Sequence, residues 1–326
     1  MARSCAGAFE DGGAAGAVSQ ARLRPAREAD LQHARALCRE YGVTLALAGA
    51  GSDPPAGGQV LWVDPAPGLA GLTRLPGPLP VWRAQAGVTL GALAHAGLPQ
   101  FAHLPDDMTL AAWLAGPAGA ATPPGAGFAP GVRAVSVMFG DGVQETLGPF
   151  GAADGRPLRS ATVQRLVPEL FQLCNGKEAE LCLAQPLWPA RCRLDALRPA
   201  DPSDVNLARL LAGHGGALAW VESADLVPAP PAAADSAEAP PGGVQAGQAD
   251  LAGRTDRAGQ AGQAGQAGQA GQAGHAGQLA SGDPAHAALD PASPQAIALR
   301  LAVEHLDGYA KVLFDPLGLF PALPAA

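Results

Sequence analysis

The feature that most constrains this 326-residue chain is a long stretch with nothing to build a core from. Between Pro228 and about Pro294 small and polar residues take over, and from Gly259 the chain repeats Gly-Gln-Ala, with His275 replacing one Gln. Such residues bury too little apolar surface to offset the chain entropy lost on ordering. Residues 228–292 are therefore expected to be a disordered linker, and without proline in the triplet a fibre of the collagen type is not expected. Any folded body must be built before this stretch and closed by the residues after it.

Those flanking parts are equipped for that. The chain is 48% hydrophobic, ample for a core, while 43 Gly and 32 Pro, much of the excess local, mark where it does not form regular structure. A net charge of −8 without a basic stripe excludes an electrostatic nucleic-acid surface, so no nucleic-acid partner is expected. Five cysteines without a CxxC pair argue against a zinc ribbon, a redox dithiol or an iron–sulfur cluster, and read as buried thiols in a reducing cytoplasm. Residues 1–24 carry an acidic pair and glycines where a signal peptide needs an unbroken apolar core, and read as a flexible tail. No apolar run is long enough for a membrane span.

Along the chain the pattern is mixed α+β. Leu31, Ala34, Leu37 and Cys38 have helical spacing, with Gly42 as a stop. VTLAL from Val43 and QVLWVD from Gln59 read as strands on either side of a glycine-rich loop. VWRAQAG begins as a strand and gives way to a helix with Leu90, Leu93 and Ala94 on one side and Thr89 as its cap. Thr109 to Ala115 is a short apolar segment, and VRAVSVMFGDG reads as a strand turning through Asp-Gly into VQETLG. From about Ser160 a second unit is expected: helix TVQRLVPELFQLCNG, strand-like AELCLAQ and LWPARCRLDAL, helix DVNLARLLAGHGG with Asp204 near its start, and strand ALAWVE. After the linker, Ile297, Leu301 and His305 mark one face of a helix capped by Ser293 with Pro294 in its first turn.

Most chemical signatures are missing. The seven histidines are scattered with no HExxH or HxH pair, so no metal site is expected, and no GxSxG marks a nucleophilic serine. The loop VTLALAGAGSDPPAGG lacks the third glycine of GxGxxG and the Gly-Lys-Ser/Thr of a P-loop. Taken alone it reads as a plain turn, and if it holds phosphate it does so between two strands.

The order of these features resembles the FAD-binding domain of the FAD-linked oxidases, the vanillyl-alcohol-oxidase or PCMH type. Within that family it is most similar to the FAD-binding accessory subunits of bacterial glycolate oxidases. Gly49, Ala50, Gly51 and Ser52 match the family's GGGT/S loop, AGVTLGAL from Ala86 its "aGvtL..L", and Pro105, Thr109 and Leu110 part of its "TiGG" element. SVMFGDG matches a strand ending in Gly-Asp-Gly, and Lys311, Phe314, Asp315, Pro316, Gly318, Phe320 and Pro321 match the closing "K..FDP.giFNPG". Ala111-Ala112 stands where the family has its second glycine pair, NGKEAELCLA replaces "GseGtlGvit", and the asparagine of FNPG is absent.

The resemblance implies an FAD-binding domain of two α/β subdomains over 25–187, a short α+β substrate- or cap-like region over 188–227, and a C-terminal helix with its FDP motif over 293–326 packing back on the fold. It implies FAD held by backbone amides of Gly49, Ala50, Gly51 and Ser52, and of Thr109 and Leu110, since such amide nests need no charged side chain. With no histidine in the loop, the FAD is expected to be non-covalent. The implied activity is oxidation of a small 2-hydroxy acid such as glycolate, with other glycolate-oxidase-type subunits as partners. No general base stands out; His103 and Arg133 lie near the matched elements but read as surface residues. Ala111-Ala112 also admits a flavin-poor relative that serves as an interaction subunit, and an unrelated α+β binding protein stays open.

Overall fold

A computed structural model describes residues 5–15, 18–51, 58–116, 122–126, 130–151, 158–230 and 291–323, all within one packed unit. The mixed α+β expectation holds, and the strands form two sheets.

The first sheet has the order β1-β2-β4-β3. Its β1 (Ala8–Ala15) and β2 (Val18–Arg24) are antiparallel, while β2 and β3 (Thr44–Leu47) each run parallel to β4 (Gln59–Val63). Ala8–Ala15 and Val18–Arg24, read from sequence as part of a tail, are thus two paired strands, and Leu23 is fully buried. Glycines and alternating polar residues hid them, because these strands are held by their backbone ladders rather than by a continuous apolar run. Between β2 and β3, α1 (Glu28–Tyr41) buries Leu31, Ala34 and Cys38, and ends at Gly42 with φ 66°.

The second sheet, β5 (Leu72–Arg74), β6 (Trp82–Gln85), β7 (Val132–Met138), β8 (Gln144–Leu147) and β9 (Trp220–Leu226), is antiparallel with the order β5-β6-β9-β7-β8. Its central strand, β9, thus comes from the end of the region 188–227. Two short helices, α2 (Leu90–His95) and α3 (Leu110–Ala115), lie between β6 and β7, each capped by a threonine hydroxyl, Thr89 for α2 and Thr109 for α3.

Beyond β8, α4 (Ala161–Cys174) forms as its spacing predicts and carries Pro168 inside. AELCLAQ is not a strand but part of α5 (Lys177–Leu183), whose buried Ala179 and Cys182 stand three apart on one face, next to α6 (Pro294–Phe314). LWPARCRLDAL is irregular apart from a 3-10 turn, Leu194–Leu197, held by the buried Arg193–Asp195 ion pair at 2.6 Å. The helix expected over DVNLARLLAGHGG shrinks to a 3-10 turn, Leu207–Leu211, capped by Asn206 rather than Asp204. The cap on α6 is Ser293, as expected, but its packed face is Ala302, Val303, Leu306, Ala310 and Phe314. Ile297, Leu301 and His305 lie on the exposed side: the helix has apolar residues on two faces, and docking chose the one that periodicity did not.

Candidate functional site

β3 delivers the chain to the edge of the first sheet, where the Ala48 amide donates to the Val63 carbonyl at 2.9 Å. The chain then turns through Gly49 at φ 82° and Gly51 at φ 73°, backbone angles that L side chains rarely adopt. Ala50, between them, is buried, which fixes the turn to the core while both glycine backbones stay exposed. Ser52 lies outside the described residues.

Facing this turn is the first turn of α3. A Cβ built on Gly49 would stand 3.5 Å from the Cβ of Ala112, so a loop of the first sheet and a helix inserted into the second meet here. At the start of α3 the Leu110 amide donates to the Val88 carbonyl at 2.8 Å, and the Ala111 amide to the Ala86 carbonyl at 3.0 Å. The Ala112 amide donates to the hydroxyl of Thr109 at 3.3 Å. The start of α3 thus spends these donors inside the protein, and Thr109 serves as a cap. Gly49 and Gly51 are exposed here, while Ala50 between them is buried and its amide donates to the Leu47 carbonyl at 3.5 Å.

Beside Gly49 an open groove of about 460 Å³ is lined by Glu10, Asp11, Gln20, Arg22 and Trp62 among others. The Trp62 indole donates to Gln20 Oε1 at 3.1 Å, and Arg22 pairs with Asp64 at 3.5 Å. Strands β1 and β2, unseen in the sequence reading, build one wall of it.

Behind the turn lies a second glycine-rich loop. Gly213, Gly215 and Gly216 all have positive φ, 76°, 63° and 76°, around a buried His214. The Gly213 and Gly215 amides donate to the Leu114 and Ala115 carbonyls, both at 2.8 Å, satisfying the end of α3. Burial, helped by the nearby Lys311 cation, pushes His214 down to about 3 from its usual 6.5, so its ring is neutral at pH 7. Sequence reading counted His214 only as one of seven scattered histidines; the glycines bracketing it were the available signal.

The terminal motif closes the body. Lys311 Nζ donates to Asp315 Oδ2 at 2.6 Å, to the Ala217 carbonyl at 2.7 Å and to the Phe320 carbonyl at 3.2 Å. Asp315 in turn accepts from the Leu319 and Phe320 amides, and the Leu319 carbonyl accepts from the Leu45 amide of β3 at 2.9 Å. A Cβ on Gly140, in the Gly-Asp-Gly turn, would fall 2.6 Å from Asp315 Oδ1. Two of the motifs singled out in the sequence therefore meet each other and brace β3. His103 and Arg133 are exposed.

No protein-family model matches the chain, and no curated protein is detectably similar to it. Solved structures that the chain resembles in part include a solvent-stable cholesterol oxidase, 16% identical over 65% of this chain and 35% of that one, with a TM-score of 0.35. An alkyldihydroxyacetonephosphate synthase is 12% identical over 64% and 32%, at 0.36. A glucooligosaccharide oxidase from Acremonium strictum, whose FAD is named as 6-S-cysteinyl and 8α-N1-histidyl, is 12% identical over 69% and 41%, at 0.34. The chain spans about a third of the length of these proteins, and at such scores the likeness says nothing of what it does.

Proposed function

We propose that this chain is the FAD-binding part of a flavin-dependent oxidoreductase of the PCMH type, acting on a small 2-hydroxy acid such as glycolate, with further subunits as partners. The observation that carries the reading is the turn at the edge of the first sheet, against the start of α3, in which Gly49 and Gly51 are exposed at positive φ on either side of a buried Ala50. Successive backbone N–H groups in such a turn form an anion-binding concavity, suited to a pyrophosphate. The Leu110 and Ala111 amides are engaged, and in the turn the Ala50 amide donates to the Leu47 carbonyl at 3.5 Å, which leaves Gly49 and Gly51 to face the group.

In this reading Gly49 and Gly51, continued by Ser52, orient the pyrophosphate through their backbone while Ala50 fixes the turn to the core, and no side chain of the turn is available for a covalent flavin link. A bound flavin would supply hydride acceptance from the hydroxyl-bearing carbon of the substrate. The chain's own part is to hold and orient the ring and keep water from it.

A second reading, a flavin-poor interaction subunit, is favoured by the Ala112 methyl group against Gly49 and by the occupied amides of α3. Glycolate- and lactate-dependent reduction of an artificial dye by FAD-loaded protein, alone and with candidate partner subunits, separates the two. Turnover supports the first reading; a folded sample that retains no FAD and reduces no dye in any combination supports the second.

A further inference from the structure

On the second sheet, three neighbouring strands bring two arginines and one aspartate to a single pocket. Arg83 of β6 lies in register with Asp225 of β9, and its Nε and Nη2 donate to the two Asp225 carboxylate oxygens at 2.7 and 2.9 Å. Asp225 is 8% exposed, so this two-pronged contact fixes the plane of a guanidinium that is itself half exposed. Nη1 of Arg83 takes no part in it and has no acceptor among the described residues.

Arg133 reaches the same pocket through an irregularity of β7. The register of β7 against β9 shifts between Val132 and Ala134, which makes Arg133 the extra residue of a bulge. A bulge re-aims a side chain that regular alternation would place elsewhere. The Asn206 side-chain amide donates to the Arg133 carbonyl at 3.1 Å and holds the bulge. The Arg133 guanidinium has no hydrogen bond or ion pair among the described residues. The pocket measures about 250 Å³, and its remaining walls, Leu75, Pro76, Val81, Ala134 and Pro149, are apolar.

We propose that Arg83 and Arg133 bind the carboxylate of a small monocarboxylic acid whose short apolar chain lies against Leu75, Val81 and Pro149. The planar fork of a guanidinium matches a carboxylate, and Arg83 is already oriented for one by Asp225, a positioning residue. Two guanidinium groups and one carboxylate leave the pocket a single net positive charge, which one carboxylate neutralises. A dianion would bring a second charge towards Asp225 and strip its hydration against apolar walls. The site is separate from the glycine turn: Trp220 lines a small void with Leu47 beside that turn, and Asp225 stands roughly 16 Å further along β9 at the rise of a strand. It holds whether or not the chain binds a flavin.

The test titrates the full chain with butanoate, acetate and sulfate at constant ionic strength, following the arginine Nε–H resonances by nitrogen–proton NMR. The two signals are assigned from Arg83→Gln and Arg133→Gln. The Trp188 indole donates to the Cys192 carbonyl at 3.0 Å, and its unchanged resonance reports an intact fold in each variant. Butanoate is expected to move both signals saturably, with acetate and sulfate each binding severalfold more weakly, and Arg133→Gln is expected to weaken butanoate about tenfold. No saturable shift with butanoate, or equal butanoate binding by a folded Arg133→Gln, overturns the site. Sulfate binding as tightly as butanoate overturns the monocarboxylate assignment, and acetate doing so overturns the role of the apolar walls.

Discussion

Gly49 and Ala112 face each other across the meeting point of the two sheets, with 3.5 Å between the Ala112 Cβ and the place a Cβ would take on Gly49. One side chain fewer on the helix side would widen this approach; one more on the turn would close it. Ala112→Gly is therefore expected to raise FAD affinity severalfold at a stability cost of at most about 1 kcal/mol, the helix penalty of glycine. Gly49→Ala, forced to φ 82°, is expected to cost about 1–2 kcal/mol and to lower FAD affinity. Fluorescence titration with FAD beside urea unfolding of both variants reads the two effects separately.

Asp315 is the acceptor around which the C-terminal segment is organised. Its carboxylate is fully buried and holds Lys311 and two backbone amides. Asp315→Ala would leave a mostly buried ammonium without its counter-ion, and a loss of about 3–5 kcal/mol is expected in urea unfolding. A loss below about 1 kcal/mol would show that the clamp is dispensable.

Acid should unfold this protein partly through His214. Its folded value of about 3 lies below the ordinary 6.5, so between those values the unfolded chain binds a proton that the folded one refuses. The stability contributed by the neutral ring is present above pH 6.5 and is lost as pH falls towards 3, amounting to about 4–5 kcal/mol at about 1.4 kcal/mol per pH unit. His214→Gln is expected to flatten the stability profile across this range, whatever its effect at pH 7. Asp30, Glu222 and Asp307 also titrate away from their usual values, but they are common to both proteins, so the difference isolates the histidine.

The cysteines give an independent check on packing. Burial pushes the Cys38 and Cys174 thiols up to about 12 and Cys182 to about 11, and raises Cys192 well above 9.0. Cys5 alone is partly exposed. A thiol-specific chromogenic reagent at pH 8 is expected to label at most Cys5 in the folded protein and all five after unfolding. Rapid labelling of two or more in the native state would contradict the packing.

Much of the fold was legible because local signals and packing agreed. Gly42 stopped α1, Thr89 and Ser293 capped their helices, and the Asp-Gly turn after β7 made a hairpin, each a choice the backbone makes within a few residues. What escaped depends on partners distant in sequence. β1 and β2 exist through pairing with each other and with β4, and β9 is central because β6 and β7 flank it. AELCLAQ, residues 179–185, reads as a strand by composition, yet most of it lies in the helix Lys177–Leu183, which buries Ala179 and Cys182. The turn at Gly49 and Gly51 was visible, but the occupied amides of Leu110 and Ala111 depend on carbonyls some twenty residues earlier, and no spacing in the sequence reports them. The expected linker, residues 228–292, lies almost wholly outside the described residues.

The central claim, that the Gly49-Ala50-Gly51 turn belongs to a flavin site, is tested most directly by the absorption spectrum of purified protein after incubation with FAD and removal of the free cofactor. Flavin bands retained at close to one FAD per chain, and lost in Gly49→Ala, are the predicted result. A folded protein left colourless after the same treatment, alone and with its candidate partners, would contradict it.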